Sequence, residues 1–105
     1  ISSGVIECQD IPADCKHNGH MFYIKLKNLK TRDSVIQYLK TKGMSSVFHY
    51  VPLHSAVAGL AFGRFEGKDN FTTNDSERLL RLPMWYGLTS KEIDFVIEEI
   101  KACLN

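Results

Sequence analysis

The C-terminal stretch constrains this chain more than any other, because it specifies both a helix and the surroundings the helix needs. Thr89-Ser90-Lys91-Glu92 is a capping box, and Leu88 with Ile93 is placed to form the matching hydrophobic staple. Beyond it Ile93, Val96, Ile97, Ile100 and Leu104 recur at helical spacing as one apolar stripe. Such a helix must lie on another apolar face, and the chain contains one. Between His20 and Lys27, Phe22, Ile24 and Leu26 alternate with Tyr23, Lys25 and Lys27, the pattern of a strand with one buried side.

The remaining elements follow from local signals. Gly4 to Cys8 reads as a short strand and Ile11-Pro12-Ala13-Asp14 as a turn. Thr31 as N-cap, Asp33 in the first turn, Val35, Ile36 and Leu39 on one face and Gly43 as a stop predict a helix over 31–42. Ser46 to Tyr50 reads as a strand. Leu53 to Phe62 is small and apolar, expected as a helical turn packed under a loop. Gly63 to Thr73 is read as that exposed loop, with Lys68-Asp69-Asn70 as a surface feature. Asn74 as cap with Glu77 three residues on predicts a helix that carries Leu79 and Leu80 and stops near Pro83. Met84-Trp85-Tyr86 is expected as a packing plug between helices.

The order strand, strand, helix, strand, helix, helix has few crossovers. It points to an α+β fold, a small mostly antiparallel sheet covered by helices, rather than a doubly wound parallel sheet. With 105 residues, no repeat and no low-complexity linker, residues 1–105 form a single domain. The net charge of +1 comes from interspersed acids and bases with no basic stripe, so nucleic acid is not an expected partner. No apolar run approaches the roughly 18 residues of a membrane span, and the N-terminus lacks the order of a signal peptide. Cys8, Cys15 and Cys103 are odd in number and scattered, which favours reduced thiols and a cytoplasmic setting. Cys8 with Cys15-Lys16-His17-Asn18-Gly19-His20 matches no usual zinc spacing, so no metal site is expected. A start at Ile1 rather than Met suggests a piece of a longer chain.

The chemistry concentrates in Phe48-His49-Tyr50-Val51-Pro52-Leu53-His54. Pro52 lacks an N–H and pushes Val51 toward extended backbone, so a strand should end here and open into a loop. Loops are where binding groups are mounted. His49 and His54 can donate or accept through imidazole nitrogens, and Tyr50 through its hydroxyl. If the strand continued, His49 and Tyr50 would face opposite ways. Arg81 is a further candidate for an anionic group, against the alternative of a surface pair in which Arg78 and Arg81 share a helix face near Glu77 or Asp75.

Three separated segments carry a resemblance: Gly19-His20-Met21-Phe22-Tyr23-Ile24-Lys25-Leu26, Val47-Phe48-His49-Tyr50-Val51-Pro52-Leu53-His54 and Ser76-Glu77-Arg78-Leu79-Leu80-Arg81-Leu82-Pro83. In this order they resemble the C-terminal segment of the sugar-nucleotide aminotransferases of the DegT/DnrJ/StrS family, from about residue 5 to the end. Within the family the likeness is greatest to transaminases that act on TDP-4-keto-6-deoxy-D-glucose in enterobacterial common antigen synthesis. The resemblance implies the C-terminal small domain of a fold type I, pyridoxal 5'-phosphate-dependent transferase, working as a homodimer. It would move an amino group from L-glutamate to a keto sugar. The cofactor would be bound by a large domain this sequence lacks, so no lysine here is the Schiff-base lysine and the chain alone is expected not to transaminate. His49, Tyr50, His54 and Arg81 are then the expected substrate-binding residues, with no catalytic, cofactor or metal ligand. Two alternatives remain open: a free-standing nucleotide-sugar binding module, or a domain serving only dimer contacts.

Overall fold

A computed structural model describes residues 5–105. Four short strands, β1 (Glu7–Cys8), β2 (Tyr23–Lys25), β3 (Val47–Phe48) and β4 (Leu79–Arg81), form one antiparallel sheet in the order β1-β2-β4-β3. The helices are α1 (Leu29–Thr41), α2 (Val57–Phe62), α3 (Thr72–Arg78) and α4 (Ser90–Leu104), with a single 3₁₀ turn at Leu53–Ser55. The fold is therefore α+β, as expected. Gly4 of the first expected strand lies outside the described residues.

The core forms where the alternation of β2 meets two helical stripes. Ile24 pairs with Leu80 across β2 and β4, so both point to the same side of the sheet. With Leu26 they meet Val35 and Leu39 of α1 and Val96 and Ile100 of α4 in one cluster. Only this part of the α4 stripe is buried; Ile93 and Ile97 remain exposed. The capping box at Thr89 forms as expected, with Thr89 Oγ1 accepting from the Glu92 N–H and Glu92 Oε2 accepting from the Thr89 N–H. At the far end of α1, Gly43 takes a φ of 77°. Its N–H and that of Met44 donate to the carbonyls of Lys40 and Leu39, a Schellman closure that needs the left-handed residue.

Several local expectations give way to tertiary structure. Asn28, not Thr31, caps α1: its side-chain oxygen accepts from both the N–H and the hydroxyl of Thr31. Helix α1 thus begins earlier, and Asp33 lies beyond its first turn, beside Arg32 at 2.8 Å. Asn74 is inside α3 rather than at its cap. Leu79 and Leu80 are not helical; they belong to β4, the strand that joins β2 to β3. Leucine is compatible with either state, and pairing on both sides decides the matter by removing Leu80 from solvent. Arg78 and Arg81 therefore share no helix face: Arg78 binds Glu7 and the Leu26 carbonyl, and Asp75 pairs with Lys25 at 3.0 Å. Met84, Trp85 and Tyr86 are exposed and plug nothing. The 53–62 turn is helical as read, but Leu53, Val57, Leu60 and Phe62 are exposed rather than packed beneath a loop.

Candidate functional site

The strand leading into the histidine stretch stops at Phe48. Two residues later Tyr50 adopts a φ of 97°, the one non-glycine residue with positive φ among those described. For a bulky side chain that conformation is strained and persists only where neighbours hold it. Here α3 holds it. The Ser76 hydroxyl donates to the Tyr50 carbonyl at 2.6 Å, and Arg32 Nη1 donates to the Ser76 carbonyl at 2.9 Å. The Arg32 guanidinium also lies 4.7 Å from the centroid of the Phe48 ring. The buried arginine thus ties the end of β3 to α3, and the loop after Phe48 leaves in a defined direction.

His49 and Tyr50 do not take the opposite sides an extended strand would give them. Their rings meet edge to face, 4.9 Å between centroids. Tyr50 is 73% exposed, whereas His49 is half-buried and its Nδ1 is shielded from solvent with no hydrogen-bond partner. Such an atom in a native fold calls for an explanation, and a group that arrives with a ligand is one.

His54, on the 3₁₀ turn beyond Pro52, returns to the same helix α3. Its Nε2 lies 2.9 Å from Asp69 Oδ2 and 3.3 Å from Thr73 Oγ1, and its ring stacks obliquely on Phe65. The Thr73 N–H donates to Asp69 Oδ1 at 3.2 Å, and its hydroxyl donates to Asp69 Oδ2. These Thr73 bonds, with a smaller contribution from His54, hold the Asp69 carboxyl below its ordinary value against the opposing effect of desolvation. Beside His54 opens a cavity of about 490 Å³ walled by Leu53, Ala58, Gly59, Phe62, Gly63, Arg64 and Phe65. Gly59 is required there, since a Cβ on it would fall 1.6 Å from the Leu53 carbonyl oxygen.

Arg81 is elsewhere. It stands in β4 opposite Tyr23 and Val47, on the sheet face turned away from Ile24 and Leu80. Among the described residues no hydrogen bond or ion pair links it to His49, Tyr50 or His54. The structure therefore ties the Tyr50 carbonyl and the His54 ring to Ser76 and Thr73 of α3, packs His49 against Tyr50, and sets Arg81 opposite Val47, two residues before His49. Sequence reasoning missed Asp69, Thr73, Ser76 and Arg32. The four-residue step from Asp69 to Thr73 is the one local signal that a carboxylate caps the start of α3. The contact with His54 is nonlocal and leaves no pattern.

These residues do not fit a resident pyridoxal phosphate. Lys25 and Lys42 are engaged by Asp75 and Glu99. Arg64, the cation at the rim of the cavity, is almost fully exposed and paired with Glu66. Among the described residues no group of three or more His, Cys, Asp and Glu could hold a metal ion, and no helix is long and apolar enough to cross a membrane.

A model of the DegT/DnrJ/EryC1/StrS aminotransferase family matches residues 3–101, and the chain belongs to that family. Its fold recurs in solved structures. The aminotransferase TlmJ from Streptoalloteichus hindustanus is 25% identical with a TM-score of 0.83, over 98% of this chain and 27% of that one. A DegT DnrJ EryC1 StrS aminotransferase from Brucella abortus is 24% identical with a TM-score of 0.74, over 97% of this chain and 27% of its own. The Streptococcus pneumoniae protein Spr1654 in its PLP-form is 22% identical with a TM-score of 0.74, over 94% and 26%. The chain spans about a quarter of the length of these proteins.

Proposed function

We propose that this chain is the substrate-binding small domain of a pyridoxal-phosphate-dependent sugar aminotransferase. The whole enzyme would transfer an amino group from L-glutamate to a TDP-4-keto-6-deoxyhexose, as a homodimer in the cytoplasm, in the building of cell-surface polysaccharide such as enterobacterial common antigen. The cofactor, carried by the rest of the enzyme, would supply the electron sink for the transfer. This domain has no residue suited to that step and is inactive alone. Its part is to hold the sugar nucleotide: His49, Tyr50 and His54 contact the substrate, and Arg81 contacts an anionic group of it.

The observation that carries this reading is the loop His49–His54, held in a strained conformation by α3 beside an open cavity, in a member of an aminotransferase family. Backbone strain enforced by its surroundings clusters at functional sites, and that supports the reading. The exposed apolar side chains of Leu53, Val57, Leu60, Phe62 and Phe71 support a surface that the rest of the enzyme or a second subunit covers.

The test uses the full-length enzyme with pyridoxal phosphate, L-glutamate and TDP-4-keto-6-deoxyglucose, following 2-oxoglutarate and the aminated sugar nucleotide. The double variant His49→Ala, His54→Ala is expected to weaken sugar-nucleotide binding at least tenfold, leaving the glutamate half-reaction intact. Unchanged affinity in a folded variant would overturn the site assignment. Sugar-nucleotide binding without amino transfer would favour the binding module.

A further inference from the structure

The environment of His54 determines more than its position. Nε2 has two neighbours, Asp69 Oδ2 at 2.9 Å and Thr73 Oγ1 at 3.3 Å. The Thr73 hydroxyl hydrogen is directed to Asp69 Oδ2, so the threonine oxygen can offer Nε2 only a lone pair. The carboxylate is an acceptor as well. Both neighbours of Nε2 accept, and a bare Nε2 would be repelled by each of them; the hydrogen must reside there. In a neutral ring Nδ1 then has a free lone pair, and no hydrogen bond to Nδ1 is present among the described residues. A partner fixing one nitrogen selects the chemistry of the other.

We propose that Asp69 and Thr73 are positioning residues that lock His54 as the Nε2–H tautomer, so that Nδ1 is offered to the sugar as an acceptor for a hydroxyl. The inference rests on the reading of His54 as a substrate contact and deepens it. An acceptor at Nδ1 favours a ring hydroxyl over a phosphate or a carbonyl, which bring only lone pairs. The apolar walls supplied by Leu53, Phe62 and Phe65 suit the C–H face of a deoxyhexose beside that hydroxyl. Asp69 is itself well placed to orient the ring. Its side chain is only 21% exposed, and the Thr73 N–H fixes its other oxygen at 3.2 Å. The carboxylate is held by the helix and holds the imidazole in turn.

The experiment labels the histidines of the full-length enzyme with ¹⁵N and reads the protonation of each His54 nitrogen near neutral pH without substrate, assigning the resonances with His54→Gln. The expected result is a protonated Nε2 and a bare Nδ1. Asp69→Asn should mix the tautomers, raise the KM for the keto sugar nucleotide about tenfold and leave kcat and the KM for glutamate within about twofold. Thr73→Val removes only the hydroxyl and should raise the same KM about threefold; it carries the test if Asp69→Asn does not fold. A ring protonated at Nδ1, or at both nitrogens, overturns the inference while an enzyme that still aminates the sugar keeps its proposed function. Mixed tautomers with an unchanged KM also overturn it. An enzyme that binds no sugar nucleotide overturns both.

Discussion

The sheet with α1 and α4 on one side, and the strap from His49 to Thr73 on the other, draw on the same apolar residue types and use them in opposite ways. In the first region Leu26, Val35, Leu39 and Leu80 are fully buried. In the strap Val57 is 88% and Phe62 92% exposed. Burial of an aliphatic side chain stabilises by about 1.5–3 kcal/mol, so the body is held by its core. The strap has almost no such contribution. It is held by a few polar ties, namely Asp69 within the strap to His54, and Thr73 and Ser76 of α3 to His54 and to the Tyr50 carbonyl. The stability of the body and the conformation of the strap thus rest on different residues, and the two can be perturbed separately.

The largest separation should come from Leu80→Ala. Leu80 is fully buried between Ile24 and Phe48 on the neighbouring strands, and its truncation should destabilise by about 4 kcal/mol in urea unfolding. Phe62→Ala in the strap should change stability by under about 0.5 kcal/mol. Equal effects would break the comparison.

Gly59→Ala should invert the pattern. The new Cβ meets the Leu53 carbonyl, so the 53–62 segment must shift while the core is untouched. Sugar-nucleotide affinity of the full enzyme should fall about tenfold or more, with the main unfolding transition nearly unmoved. Retained affinity would detach this segment from the site.

Tyr50→Gly should release strain. Glycine adopts positive φ without steric penalty, so stability should be unchanged or higher by about 1 kcal/mol, while substrate affinity falls through loss of the phenol and a looser loop. A clear loss of stability would mean that the Tyr50 side chain supports the fold.

The smallest effect belongs to the body and concerns pH. The Tyr38 hydroxyl donates to Glu99 Oε2 at 2.7 Å and Lys42 pairs with the same oxygen at 3.1 Å, joining α1 to α4. Tyr38 first, and Lys42 after it, hold the Glu99 carboxyl below its ordinary value of 4.5. A depressed folded value stabilises above the unfolded one, and this support is lost as the pH falls through the folded value. As the pH falls below the ordinary carboxylate value the wild type should therefore lose stability more steeply than Tyr38→Phe. Parallel pH profiles would remove Glu99 from the account.

Much of the body was legible in advance. The alternation of Phe22 to Lys27 located β2, the stripe of α4 and its capping box located the last helix, and Gly43 closed α1. These signals arise within one element, where periodicity and capping act between residues a few positions apart. That the chain leaves the sheet within the histidine stretch was also legible, although β3 ends at Phe48, short of the Tyr50 expected and well before Pro52. The same local reasoning placed Asn74 at a cap and Leu79 with Leu80 in a helix.

What the sequence by itself determined, then, is the α+β class, the body elements with strong periodicity, and the region where the chain leaves the sheet for a loop. The tertiary structure alone decided that Leu79–Arg81 is a strand, since its state depends on pairing with Tyr23–Lys25 and Val47–Phe48, both far away along the chain. It alone brought Asp69 to His54 and Ser76 to Tyr50, and it alone set Arg81 in a strand opposite Val47. Strand pairing and side-chain hydrogen bonds across long sequence separations depend on which surfaces fold together, and no local period records that choice.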